Sequence, residues 1–210
     1  MEQLKKFVMD GKANDAAKRV TELISGGKSP EAIMKEALIP AMDEVGDLFQ
    51  KGELYLPEML VAARAMKQGM AAMKPAIVKS GLKSIGKVVL GTVKGDMHDI
   101  GKNLVAMSLE GAGFEVIDLG ADVAAEKFVE AIKKENPQVI GLSALLTTTM
   151  LAMKDTVEAI KKAGLRDKVK IMVGGAPLRK EFATEIGADF YGPDSTSGKN
   201  YARVVVSGEA

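Results

Sequence analysis

"KVVLGTVKGDMHDIGKNLVAMSLEGAGFEVIDLG", residues 87–120, reads as one strand–loop–helix–strand unit. "KVVLGTV" (87–93) and "EVIDLG" (115–120) are short β-branched runs, and residues 102–112 between them space their apolar side chains as a helix does. Two strands joined through a helix run parallel. The same alternation continues through "QVIGLSA" (138–144), "VKIMVGG" (169–175) and "ADFYGP" (188–193), with helices expected over 123–135, 147–163, 178–186 and around 197–206. Five strands with four crossovers predict an α/β fold, a parallel sheet of order 2-1-3-4-5 with helices on both faces. In that order, ligands bind beyond the carboxyl ends of the strands, where the order reverses between strands 1 and 3. "GDMHDIGKN" (95–103) follows strand 1, Ser143 ends strand 3, and Gly174–Gly175 end strand 4. A histidine, a hydroxyl and a glycine pair are therefore expected to meet in one crevice.

Upstream of this pattern the period changes. Residues 1–74 read as helices only. "ANDAAKRVTELISGG" places Asn14 to cap, Ala16, Val20, Leu23 and Ile24 on one face, and Gly26 to stop. "SPEAIMKEALIPAMDEVGDLFQKG" has Ser29 as cap, Pro30 at the first helical position and a stripe of Met34, Leu38, Met42 (or Ala41), Val45, Leu48 and Phe49, with Pro40 expected to bend it. "LPEMLVAARAMKQGMAAMK" carries Met59, Ala63, Met66, Met70 and Met73 on one face. With a short helix over residues 2–10, these form an N-terminal four-helix bundle. The expected organisation is a helical bundle over 1–74, a linker over 75–86 marked by Pro75, Gly81 and Gly86, and the α/β domain over 87–210. Fully extended, the twelve linker residues span roughly 40 Å, enough for one half to swing over the other.

Bulk composition excludes several classes of function. The net charge is +1 over 210 residues, and residues 1–74 carry 11 Lys+Arg against 11 Asp+Glu, so no basic face points to a nucleic acid or a membrane surface. There are no cysteines, hence no disulfides and no thiolate metal sites, which suits a reducing cytoplasm. No apolar run reaches the roughly 20 residues of a transmembrane helix, and no signal-peptide core opens the chain. The expectation is a soluble, cytoplasmic protein.

His98 is the one histidine of the chain. A lone histidine in a loop is ordinarily a partly exposed side chain and nothing more. Its setting, at the expected switch point and between Asp96 and Asp99, raises three chemical alternatives. A phosphate loop of the form G-x-x-x-x-G-K-[ST] fails, because five residues separate Gly95 from Gly101, Asn103 stands where a magnesium-binding hydroxyl belongs, and two carboxylates would repel the phosphate. An acidic, phosphorylatable pocket with Asp96 and Asp99 on magnesium lacks a carboxylate at the end of strand 3, where Leu142 and Ser143 stand. Metal ligation by His98 suits a neutral imidazole whose other nitrogen is held by a carboxylate such as Asp96. One histidine without cysteine cannot close a metal shell, so such a metal would arrive inside a macrocycle, haem and corrin being the obvious cases.

Asp96-Met97-His98-Asp99-Ile100-Gly101 is followed by 41 residues, then Ser143-Ala144-Leu145, then 28 residues, then Gly174-Gly175. This D-x-H-x-x-G, S-x-L, G-G series resembles cobalamin-binding domains. The likeness extends over nearly the whole chain, since residues 1–74 and above all "GDLFQKGELYLPEMLVAARAM" (46–66) resemble the helical cap of methionine synthase and of the free-standing corrinoid proteins of methyltransferase systems. The fold so implied is flavodoxin-like, or Rossmann-like.

The resemblance implies cobalamin or a related cobamide as cofactor, with His98 replacing the cofactor's own base below cobalt and the displaced nucleotide tail entering a slot in the sheet. It implies a relay from His98 through Asp96 to Thr149, and it counts Met97, Asp99, Ile100, Gly101, Leu145 and Thr147 among the cofactor-binding residues. Ser143 and the glycine pair then line the slot, with Tyr191, Gly192 and Asp194 of "FYGPDSTSG" (190–198) near the tail. Local hydrogen bonding at a helix start and a plain proline loop are the simpler readings of the threonines and of the last three residues. Met59, Leu60, Met66 and Met70 are candidates to cover cobalt's upper face, though methionines at helical spacing are first of all core.

The activity implied is methyl carriage. Cobalt takes the group from a donor such as methanol, a methylamine or a methoxylated aromatic on a substrate-specific methyltransferase. It gives it up to an acceptor methyltransferase serving tetrahydrofolate or a thiol, with a reductive activase as a further partner. Alone, such a subunit of a methyltransferase system turns nothing over. Two rivals share the cofactor. A cobamide sensor needs an output domain, and a carbon-skeleton mutase small subunit lacks the helical cap.

Overall fold

The computed structural model describes residues 1–80 and 84–208. The chain divides into two compact units, one of helices alone and one built on a sheet. In the first, α1 (Glu2–Met9) and α2 (Ala13–Ser25) precede a long broken helix, followed by α5 (Leu56–Ser80). The broken helix comprises α3 (Pro30–Ile33), a π-helical turn (Met34–Leu38) and α4 (Ile39–Gln50). The bend expected at Pro40 takes this form for a physical reason. Proline has no N–H for the carbonyl four residues back, and its ring crowds that carbonyl. Widening the preceding turn relieves the clash, and Ile39 N–H bonds to Met34 O, five residues back.

The caps are partly those expected. Ser29 Oγ accepts from Ala32 N–H at 3.1 Å, but Asn14 lies inside α2, whose N-cap is Lys12. Glu58 reaches back to Tyr55 N–H at 2.8 Å and starts α5 as half of a capping box. Of the expected stripes, Ala16 and Val20, Met34, Leu38, Met42 and Val45, and Met59, Ala63, Met66 and Met73 are buried, while Leu23, Ile24, Leu48, Phe49 and Met70 are half-buried. The expected linker is corrected at its start. α5 continues through Pro75 to Ser80, so residues 75–80 are helix, and Gly81 lies outside the described residues.

In the second unit, β1 (Lys87–Thr92), β2 (Glu115–Asp118), β3 (Val139–Ser143), β4 (Lys170–Gly174) and β5 (Phe190–Gly192) form one parallel sheet of order β2-β1-β3-β4-β5. Helices α6 (Ile100–Gly111), α7 (Ala125–Glu135), α8 (Met150–Lys162), α9 (Lys180–Ile186) and α10 (Ser195–Ser207) connect and follow the strands. β1, β3 and β4 are near-continuous apolar runs because both their faces are covered.

Strand alternation divides the sheet into two faces. Val89, Ile140, Leu142, Ile171 and Val173 join Phe128 of α7, Met153 and Val157 of α8 and Ala183 of α9 in one core. Val88, Leu90, Thr92, Gly141, Ser143, Met172 and Gly174, of opposite parity, face the other way. On that side Phe190 of β5 stacks on Tyr201 of α10, ring centroids 4.3 Å apart. Among the described residues, no helix is long and apolar enough to cross a membrane.

Candidate functional site

The site begins where β1 stops. Val93 forms a single bridge to Val123. The chain then turns through Gly95 at φ +84, a conformation glycine adopts without a Cβ clash. Asp96 N–H closes the turn on Val93 O at 3.1 Å. Asp96 is fully buried, while Met97, His98, Asp99 and Ile100 that follow are exposed. Thr92 Oγ1 donates to His98 O at 2.9 Å and pins the loop from below. Asp99 serves as cap to α6, accepting Asn103 N–H on its carbonyl at 2.8 Å and Asn103 Nδ2–H on its carboxylate at 3.1 Å.

The buried carboxylate is fully engaged. Asp96 Oδ1 accepts the His98 backbone N–H at 3.0 Å and faces His98 Nδ1 at 2.7 Å. Asp96 Oδ2 accepts Leu145 N–H at 2.7 Å, Leu146 N–H at 3.3 Å and the Thr149 hydroxyl at 2.6 Å. Burial by itself would raise the pKa of this carboxyl. The Thr149 hydroxyl and the His98 and Leu145 N–H groups outweigh burial and hold it well below the usual carboxylate range. An ionised Asp96 can only accept, so the Nδ1 of a neutral ring carries the proton and Nε2 keeps its lone pair. His98 is half-exposed, which leaves Nε2 open to a ligand. Thr149 is the N-cap of α8, but its hydroxyl turns to Asp96 and to Leu146 O (2.9 Å) rather than back into the helix. For this reason α8 begins at Met150, three residues later than expected, and Thr147 stays exposed outside it.

Three other expected residues fall on one line across the sheet. Register pairs Thr92 with Ser143, Ser143 with Gly174, and Gly174 with Gly192. All four therefore present the same face at the carboxyl ends of β1, β3, β4 and β5. Two glycines in that row leave space where side chains would stand. A Cβ on Gly174 would lie 3.1 Å from Gly192 O. Gly175 has φ +143, and a Cβ there would collide with the Ala144 carbonyl oxygen. On the same face Gly198 of α10 lies beside Val105 of α6 and Met172 of β4, 3.6 and 3.8 Å from where its Cβ would be. Ser195 Oγ, buried at the start of α10, has no hydrogen-bond partner among the described residues.

Other candidates stand apart from the row. Tyr191 pairs with Val173 and packs against the core on the opposite face. Asp194 caps α10, accepting both Ser197 N–H and Ser197 Oγ–H at 2.7 Å. Met97, Ile100 and Leu145 are exposed apolar residues, the first two flanking His98 in the chain and the third bonded through its N–H to Asp96. Leu60 is exposed and Met70 half-buried, while Met59 and Met66 are buried. Sequence reasoning missed Thr92, Leu146, Asp122 and the Lys102–Asp118 pair. Lys102 entered only as the lysine of the rejected phosphate loop, and the part of all of these in the site depends on segments that meet only in the fold.

Models of the B12 binding domain match residues 86–197 and, separately, residues 1–74. Trimethylamine corrinoid protein 1 of Methanosarcina acetivorans is 46% identical over 193 residues, 91% of this chain and 89% of that protein. The chain belongs to the family of B12-binding corrinoid proteins. Among solved structures, the methanol:cobalamin methyltransferase complex of Methanosarcina barkeri matches 98% of this corrinoid-family chain and 78% of its own, at 32% identity and a TM-score of 0.88. A cobalamin-binding protein of Desulfitobacterium hafniense matches 97% of both chains, at 31% identity and a TM-score of 0.80.

Proposed function

We propose that this chain holds a cobalt corrinoid on His98 and carries a methyl group between two methyltransferases. The observation that carries the reading is the 2.7 Å contact between Asp96 Oδ1 and His98 Nδ1, which orients the ring and leaves Nε2 as the ligand atom. The remaining donor set fits the same group. Among the described residues, no three carboxylates or histidines stand close enough to hold an ion, so the equatorial ligands must come with the metal. The exposed apolar side chains of Met97, Ile100 and Leu145 suit an apolar macrocycle. The row of Ser143, Gly174 and Gly192 suits a tail lying along the α6/α10 face.

When bound, the cobalt corrinoid supplies the nucleophile and the carrier atom. The chain's own residues bind and orient. Thr149 and the Leu145 and Leu146 N–H groups fix Asp96, and Asp96 holds the proton on Nδ1. By itself the protein is a carrier, and turnover needs both partners, with a reductive activase to restore the cofactor. The relatives named for trimethylamine and dimethylamine and the structure named for methanol support a small methylated amine or alcohol as donor. We place the protein in the cytoplasm, which a chain without cysteine permits.

Replacing the ligand tests the reading. His98→Ala is expected to lower cobamide affinity by about 10-fold or more and to give a visible spectrum without histidine below cobalt. An unchanged histidine-ligated spectrum overturns it.

A further inference from the structure

The loop that carries His98 is tied down from outside itself. The end of β2 and the segment leading from it to α7 run beside it, and Asp118 and Asp122 there grip the loop at its two ends. Asp122 sits at φ +53, in the left-handed region that few residues besides glycine, asparagine and aspartate adopt readily. From there its N–H donates to Asp96 O at 2.9 Å, and its Oδ1 accepts Gly95 N–H at 2.8 Å. Lys94 Nζ stands 3.3 Å from the same oxygen. The two residues that aim the buried carboxylate are thus held from one side chain and one peptide of Asp122. At the other end, the Lys102 side chain is 3% exposed and ion-pairs with Asp118 Oδ2 at 2.5 Å. It also donates to Asn103 Oδ1 at 2.9 Å, and Asp118 Oδ1 accepts Gly120 N–H at 2.9 Å. This pair joins the first turn of α6 to the end of β2.

We propose that the Asp118–Asp122 segment presets the His98 loop before any cofactor arrives, with Asp122 as the positioning residue that keeps Asp96 under His98 Nδ1. Aspartate tolerates this conformation, and from it the Asp122 N–H and carboxylate can both reach the loop at once. A ring ordered in advance loses less freedom on binding. The inference deepens the carrier reading and rests on His98 as ligand for its purpose, but its test does not need cobalt.

With one histidine in the chain, the ring gives one set of imidazole resonances. In full-length apoprotein at alkaline pH, long-range proton–nitrogen spectra should show the Nδ1–H form in the wild type. Asp122→Gly keeps access to positive φ and the backbone N–H while removing the side chain and its carboxylate. It should average the ring toward both tautomers and weaken cobamide binding about 10-fold by absorption titration, with the melting temperature little changed. Asp122→Asn, whose amide oxygen can still accept from Gly95, should restore both readouts. Lys102→Met should move the tautomer ratio in the same direction from the far end of the loop. A purely structural role would lower the melting temperature without changing the tautomer. Wild-type ring resonances and wild-type cobamide affinity in Asp122→Gly would overturn the proposal. The tautomer is read on apoprotein and the ligand assignment on the His98→Ala spectrum, so either can fail alone.

Discussion

Asp96 is a carboxylate with no exposed surface, and it stays ionised because five donors meet its two oxygens. Removing its charge while keeping its shape separates two effects. Asp96→Asn should cost about 2–3 kcal/mol of stability at neutral pH, because an amide nitrogen is then set against N–H and O–H donors. Its pH dependence follows from the depressed folded-state value. The stabilisation is present above the unfolded aspartate value of about 4 and is lost as pH falls below it. Urea titrations of both proteins should therefore show the gap narrowing below about pH 4. A gap equally wide in acid would mean that Asp96 acts by shape and not by charge. The resemblance to cobalamin-binding domains pointed to Asp96 and to Thr149, six residues after Ser143, as partners of His98, and the two side chains do meet at 2.6 Å. Asp122 was not legible in the sequence, since its role depends on a left-handed backbone and on two loops that meet only in the fold.

Elements show the same division between local and long-range causes. The strands and their order were readable because apolar runs and turn residues are local signals, and parallel order follows from the crossovers. The π-helical turn before Pro40 was readable only as a bend, since proline states that a hydrogen bond is missing and not how the helix replaces it. α8 starts late because Leu145, Leu146 and Thr149 give their donors to Asp96, a competitor no helix propensity contains. α5 runs through Pro75 because a long packed helix tolerates one missing bond. Around the site, glycines serve two different purposes, and alanine substitution tells them apart. Gly175→Ala should destabilise by about 2–3 kcal/mol, since φ +143 and the Ala144 carbonyl both refuse a Cβ. Gly101 has nothing within 4 Å of its Cβ position, so Gly101→Ala in α6 should leave stability unchanged or raise it by up to about 1 kcal/mol. If the corrin lies over this turn, the same substitution should weaken cobamide binding. Thermal melts beside absorption titrations read both quantities, and a Gly101→Ala protein that binds as well as wild type would move the macrocycle away from α6.

At the scale of the molecule, each unit carries a core of its own: Leu4, Val8, Val20 and Leu38 in one, and the cluster around Val89, Ile140 and Val157 in the other. Two cores allow two unfolding transitions, in which case a single melting temperature does not describe the chain. His98, Asp96, Ser143 and Gly174 all belong to the sheet unit. A ligand that binds only the folded form stabilises it by mass action, about 2.7 kcal/mol at a hundredfold excess over Kd. Adding cobamide to apoprotein should therefore raise the transition of the sheet unit, followed by near-ultraviolet signals from Tyr191 and Tyr201, and should raise it less in His98→Ala. The size of the shift should grow with the logarithm of cobamide concentration. A shift that is the same with and without the imidazole would show that the slot alone holds the cofactor, and His98 would then contribute to cobalt's reactivity without contributing to its retention.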